Sequence, residues 1–128
     1  MRYTFDTNAF MALFGMEEGA EKVRSMLQEV ESGKASGYAS VSTLTEIYYI
    51  YAASDPSLAQ ARSEQLLSSK LIFVPVDVEL ALRAGTYKKG GLSVADAFIA
   101  ATAHRTNSPV VTDDPGFAKT GIEVLGFR

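Results

Sequence analysis

Four separated acidic positions are the residues of this chain whose types could do chemistry. Asp6 ends the run Arg2-Tyr3-Thr4-Phe5, Glu46 lies just inside an apolar helix opened by Ser42-Thr43, Asp96 follows Ser93 at the start of an alanine-rich helix, and Asp113-Asp114 follow Pro109-Val-Val-Thr112. Carboxylates crowded together repel unless cations are present, and oxygen ligands without Cys or His select Mg²⁺ or Mn²⁺. Ions held in this way lower the pKa of bound water and clamp the attacking and leaving oxygens of a phosphodiester, so no side-chain nucleophile is required. The expected chemistry is metal-assisted hydrolysis, provided the four positions meet.

Other chemistries fit less well. The chain has no cysteine, which excludes disulfides and thiolate metal sites. Its single histidine, His104, lies on the same expected helix as Asp96 but about 12 Å further along the axis, too far to be a ligand. Without a second histidine, a serine nucleophile served by a histidine base has no support. Asp6-Thr7-Asn8-Ala9 lacks the glycines of a phosphate-binding loop. An aspartyl-phosphate receiver or phosphatase needs a lysine on a later strand. Only Lys119 follows the fourth strand candidate, and Asp77 lies past Pro75. A catalytically idle binding module is the rival from another class, and the presence of all four acids counts against it.

Each acid also has a purely local use. Asp6 or Asn8 could cap the helix that begins at Ala9. Thr43-Leu-Thr-Glu46 matches a capping box, and Ser93-Val-Ala-Asp96 matches its aspartate variant. Asp113-Asp114 before Pro115-Gly116 is good turn chemistry.

The elements that must position these residues alternate. Strand candidates fall at 2–5, 37–41, 71–76, 109–112 and 122–125. Helical periodicity covers 9–14, 17–33, 44–53, 56–67, 78–87 and 93–101. Strands separated by one or two helices imply parallel pairing and a three-layer α/β/α sandwich with a sheet of about five strands. Every strand of such a sheet exits at one edge, and a helix directly following a strand starts there. Asp6, Glu46 and Asp114 are therefore expected to share that edge. Asp96 reaches it if the 78–87 helix lies across the sheet.

At 128 residues the chain reads as a single domain, 1–128, without repeats or linkers. Fifteen acids against twelve bases give a net charge of −3, which argues against a broad basic nucleic-acid surface but not against a local site. Bound metals would reverse the local field. No apolar run approaches the roughly 20 residues of a membrane span, and no signal peptide is evident. A soluble, unprocessed, cytoplasmic protein is expected.

The ordered set Phe5-Asp6-Thr7-Asn8, Thr43-Leu44-Thr45-Glu46, Asp96-Ala97-Phe98-Ile99-Ala100-Ala101-Thr102-Ala103 and Val111-Thr112-Asp113-Asp114-Pro115-Gly116-Phe117 resembles the PIN-domain ribonucleases, most closely the VapC-type toxins. The similarity runs from about residue 1 to 125. It implies that Asp6, Glu46, Asp96 and Asp114 are the metal-binding acids, with Asn8 and Thr112 in support. Asp113 fills a variable position beside Asp114, and Asp114 is expected to face the metal. The resemblance further implies Mg²⁺ or Mn²⁺ dependence, RNA as substrate, a homodimer and a small antitoxin partner.

Two stretches remain. Lys88 and Lys89 could hold an RNA backbone or simply complement a helix C-terminus. Ile47, Tyr48, Tyr49, Ile50 and Tyr51 make their helix apolar on nearly all sides, which calls for burial by a core or by a second subunit.

Overall fold

Alternation along the first strand sets the two faces of the sheet. In β1 (Arg2–Phe5), Tyr3 and Phe5 enter one apolar core. The Thr4 side chain between them meets Ser108 Oγ at 2.6 Å. This is the period-2 geometry of an extended chain. The computed structural model describes residues 1–128, in which β1 is joined by β2 (Ser36–Ser40), β3 (Ile72–Val74), β4 (Val110–Val111) and β5 (Val124–Leu125). The sheet order is β3-β2-β1-β4-β5, with every pair parallel.

The end of β3 and the start of β4 fall inside the apolar runs of the sequence for a backbone reason. Proline has no N–H to give a ladder, so Pro75 follows the end of β3 and Pro109 precedes β4.

Helices cover both faces. One core gathers Phe10 of α1 (Thr7–Phe14), Val23, Met26 and Val30 of α2 (Ala20–Glu31), Ile47 of α3 (Val41–Ala52) and Leu66 of α4 (Pro56–Leu67) against Phe5, Ala39 and Val111. The other joins Leu80 and Ala84 of α5 (Val78–Lys89) to Ala97, Ile99, Ala100 and Ala103 of α6 (Val94–Thr106) around Val74 and Val110. The architecture is the expected three-layer sandwich with five parallel strands. No helix is long and apolar enough to cross a membrane.

The position of Asp96 depends on how α5 and α6 pair. Asp77 caps α5 by accepting a 2.9 Å bond from the Leu80 N–H. Its carboxylate also takes two 2.8 Å bonds from Arg105 in the last turn of α6. The start of α5 thus lies beside the end of α6, and the short link between the two helices makes them an antiparallel hairpin. Residues 75–77 therefore carry the chain back across the sheet before α5 begins, and α6 starts at the edge where the strands end.

Candidate active site

Asp6 is the first residue beyond β1, and its N–H still belongs to the sheet, donating to Val111 O at 3.0 Å. It occupies the N-cap position of α1, yet its side chain makes no capping bond. Instead Asp6 Oδ2 accepts from Thr112 Oγ1 at 2.6 Å in the interior. The local capping explanation therefore does not describe this carboxylate, which is 4% exposed.

Glu46 departs from its local explanation as well. Ser40 is the N-cap of α3 and accepts from the Ser42 N–H, so the helix starts at Val41, earlier than the sequence suggested. Glu46 then falls in the second turn, outside any capping box. Its Oε1 accepts a 2.7 Å bond from Thr7 Oγ1, which also lies 3.2 Å from Thr43 Oγ1.

Asp96 keeps part of its local role. Ser93 caps α6 by accepting from the Asp96 N–H at 3.1 Å. Asp114 likewise serves its local segment: Oδ1 accepts from the Gly116 N–H at 2.8 Å and caps a 3-10 helix, Pro115–Thr120, where the sequence pattern suggests only a turn. The Asp114 N–H donates to Thr112 Oγ1 at 3.0 Å. Thr112 is thus a junction, giving its proton to Asp6 and receiving bonds from Asp114 and, at 3.4 Å, from Asn8 Nδ2.

The electrostatics tie the four acids together. Asp6 is pushed up to about 7, first by burial and then by the charges of Asp96 and Glu46, against the lowering effects of the Thr112 hydroxyl and the Thr7 N–H. Asp96 is also raised, first by burial, then by the Asp114 charge, a shared hydrogen bond with Asp114, and the Glu46 charge. None of the four takes part in an ion pair. The salt bridges of the chain join Arg24 to Glu21, Arg105 to Asp77, and Arg128 to Glu17 and Asp113. The acids therefore form a cluster with no cationic side chain to pair it.

This donor set suits a hard divalent ion: carboxylate oxygens, no sulfur or imidazole, and a buried amide oxygen, Asn8 Oδ1, that has no hydrogen-bond partner. As the side chains stand, no three acids converge within ligating reach of one point. The fit is one of donor chemistry and charge, and like charges without a counterion hold such groups apart.

The remaining expected residues lie differently. Asp113 is turned away, its Oδ2 bonded to Arg128 Nε at 3.1 Å. Lys88 and Lys89 are exposed at the end of α5, which the hairpin brings to the same sheet edge. Thr7 was missed by the sequence reading. Its position between Asp6 and Asn8 was the available signal, but a threonine there also reads as ordinary helix-start chemistry.

The sequence matches the profile of the family described as PIN domain over residues 3–123. Comparison with curated protein sequences finds no match. Among solved structures, the chain is similar to one in VapBC2 from Rickettsia felis bound to a fragment of promoter DNA, with TM-score 0.79, 18% identity and both chains fully covered. It is equally similar to a chain of DNA-bound VapBC from Salmonella typhimurium, with TM-score 0.79 and 23% identity over 100% of this chain and 99% of that one. A chain of FitAcB from Neisseria gonorrhoeae follows at TM-score 0.71 and 21% identity, with 96% of each chain covered. At these identities the structural likeness speaks for the fold, while the profile spans nearly the whole sequence. The chain belongs to the PIN domain family of nucleases.

Proposed function

We propose that this chain is a metal-dependent endoribonuclease, using Mg²⁺ or Mn²⁺, and that it is the toxin of a toxin–antitoxin pair. The observation that carries the nuclease reading is the mutual coupling of Asp6, Glu46, Asp96 and Asp114 at one sheet edge with no cationic partner. These four would hold the metal. A divalent ion bound there supplies Lewis acidity and lowers the pKa of a water that attacks the phosphodiester. The protein's own part is placement. Thr112 fixes Asp6, Thr7 fixes Glu46, Ser93 sets the turn that presents Asp96, and the free Asn8 Oδ1 offers an acceptor beside them. Lys88 and Lys89 at the neighbouring helix end are proposed contacts for the RNA backbone, where a phosphate chain meets positive charge.

The partner reading draws on the structural relatives, which are components of VapBC and FitAB assemblies. Here a small antitoxin protein would find an apolar groove between α1, α2 and α4, lined by Leu13, Phe14, Leu27, Val30, Leu66 and Leu71. A homodimer would cover the outer face of α3, where Tyr48 and Tyr49 are 49% and 60% exposed although Ile47 is buried. A cytoplasmic location accords with a toxin that acts on RNA.

The deciding experiment is cleavage of RNA by purified protein with Mg²⁺ or Mn²⁺ against the same reaction in EDTA. Activity that ignores EDTA overturns the metal reading. No cleavage with either ion, together with clear metal binding, favours an idle PIN-like binding module.

A further inference from the structure

Arg128 joins two loops that flank the carboxylate edge. Its Nη2 donates to Glu17 Oε1 at 3.1 Å, in the link between α1 and α2, while its Nε forms an ion pair with Asp113 Oδ2 at 3.1 Å. The segment that carries it is firmly seated. Phe127 is 2% exposed and packs on Gly19, where φ is +90° and an added Cβ would stand 2.3 Å from Phe127 O. One position further back, beyond Gly126, Leu125 O accepts from the Thr112 N–H at 3.1 Å, which lays this strand along Thr112.

Asp113 and Asp114 are chemically identical neighbours, with Cα atoms about 3.8 Å apart. Either could complete a carboxylate site after Thr112. Asp114 is turned inward by the bond from its N–H to Thr112 Oγ1 and is coupled to Asp96. Asp113 is held outward on Arg128. We infer that Arg128 is a positioning residue that selects between the two adjacent acids, keeping Asp113 out of the carboxylate cluster so that Asp114 alone completes the donor set.

This inference rests on the metal-dependent nuclease reading and adds to it a device outside the four acids. A partly exposed ion pair contributes little to stability, so its signature should lie in the site and not in the melting temperature. Without the guanidinium, Asp113 becomes a fifth free carboxylate. The added negative charge attracts cations, while the competing ligand draws the ion from its working position.

The test compares wild type, Asp113→Asn, Arg128→Gln, Arg128→Lys and the double variant Arg128→Gln/Asp113→Asn. Mn²⁺ binding is followed by electron paramagnetic resonance, RNA cleavage at saturating Mn²⁺, and thermal unfolding in EDTA. Arg128→Gln should bind Mn²⁺ at least as tightly as wild type, melt at nearly the same temperature and cleave about tenfold more slowly, the scale of losing a group that orients a metal ligand. Asp113→Asn alone should be near wild type. Added to Arg128→Gln, it should restore cleavage to within about twofold, and Arg128→Lys should retain most activity. Unchanged cleavage in Arg128→Gln, a parallel loss of Mn²⁺ affinity, or failure of Asp113→Asn to restore activity overturns the inference and leaves the nuclease reading intact. A wild-type protein that neither binds Mn²⁺ nor cleaves RNA overturns both.

Discussion

Thr112 Oγ1 donates a 2.6 Å hydrogen bond to Asp6 Oδ2, tying the exit of β4 to the exit of β1 inside the protein. The two residues are far apart in sequence but lie on adjacent parallel strands, with Phe5 opposite Val111. The bond is the only protein hydroxyl that steadies the most buried acid of the site, and it favours the charged form of that acid.

Thr112→Val should therefore weaken the site without unfolding the protein. It removes the donor to Asp6 and the acceptor for Asp114 while keeping the side-chain shape. Groups that orient metal ligands are worth about 10- to 100-fold in metal affinity or activity, so cleavage should fall by at least about tenfold. Cleavage within twofold of wild type would show that Asp6 needs no such orientation.

The raised pKa of Asp6 makes metal-free stability depend on pH. Its folded value is about 7 against an ordinary 3.8, so between those values the folded state binds the extra proton. Stability from this group is complete at low pH and is lost as pH rises through 7. In EDTA the wild type should melt higher near pH 5.5 than near pH 8, with Asp6 costing about 2 kcal/mol between those two values. Asp6→Asn should flatten the profile and melt higher than wild type at pH 8. Added Mn²⁺ should raise the wild-type midpoint more than the variant's, because a ligand of the folded state stabilises it. A wild-type profile flat from pH 5.5 to 8 would remove the argument.

Asp96 combines a local and a proposed catalytic role, and two substitutions separate them. Asp96→Asn keeps the N–H that Ser93 accepts and should abolish cleavage with an unchanged circular dichroism spectrum. Ser93→Ala removes the cap, at a cost of about 1 kcal/mol, and should retain measurable cleavage. Near-normal activity in Asp96→Asn would reduce this residue to helix-start chemistry.

The exposed side chains of α3 give the fourth prediction. Tyr48 and Tyr49 lie outside the core that holds Ile47. If a second subunit covers them, Tyr49→Glu should convert a dimer of about twice the chain mass to a monomer in sedimentation velocity. A wild-type protein that is monomeric at high micromolar concentration would refute this.

Much of the architecture was legible in the sequence, because apolar periodicity and chain breaks are local properties. Alternating strand and helix patterns implied parallel strands, and parallel strands implied a shared edge for Asp6, Glu46 and Asp114. Local patterns were weakest at element boundaries. Thr43-Leu-Thr-Glu46 looked like a capping box, yet Ser40 starts α3 and frees Glu46 to meet Thr7. Three facts belonged to the tertiary structure alone. The Asp77–Arg105 contact, between residues 28 positions apart, brings the start of α6 to the strand exits. The pairing of β1 with β4 brings Thr112 to Asp6. Arg128 pairs with Asp113 across the fold. Each depends on which distant groups become neighbours, and spacing along one chain does not encode that distance.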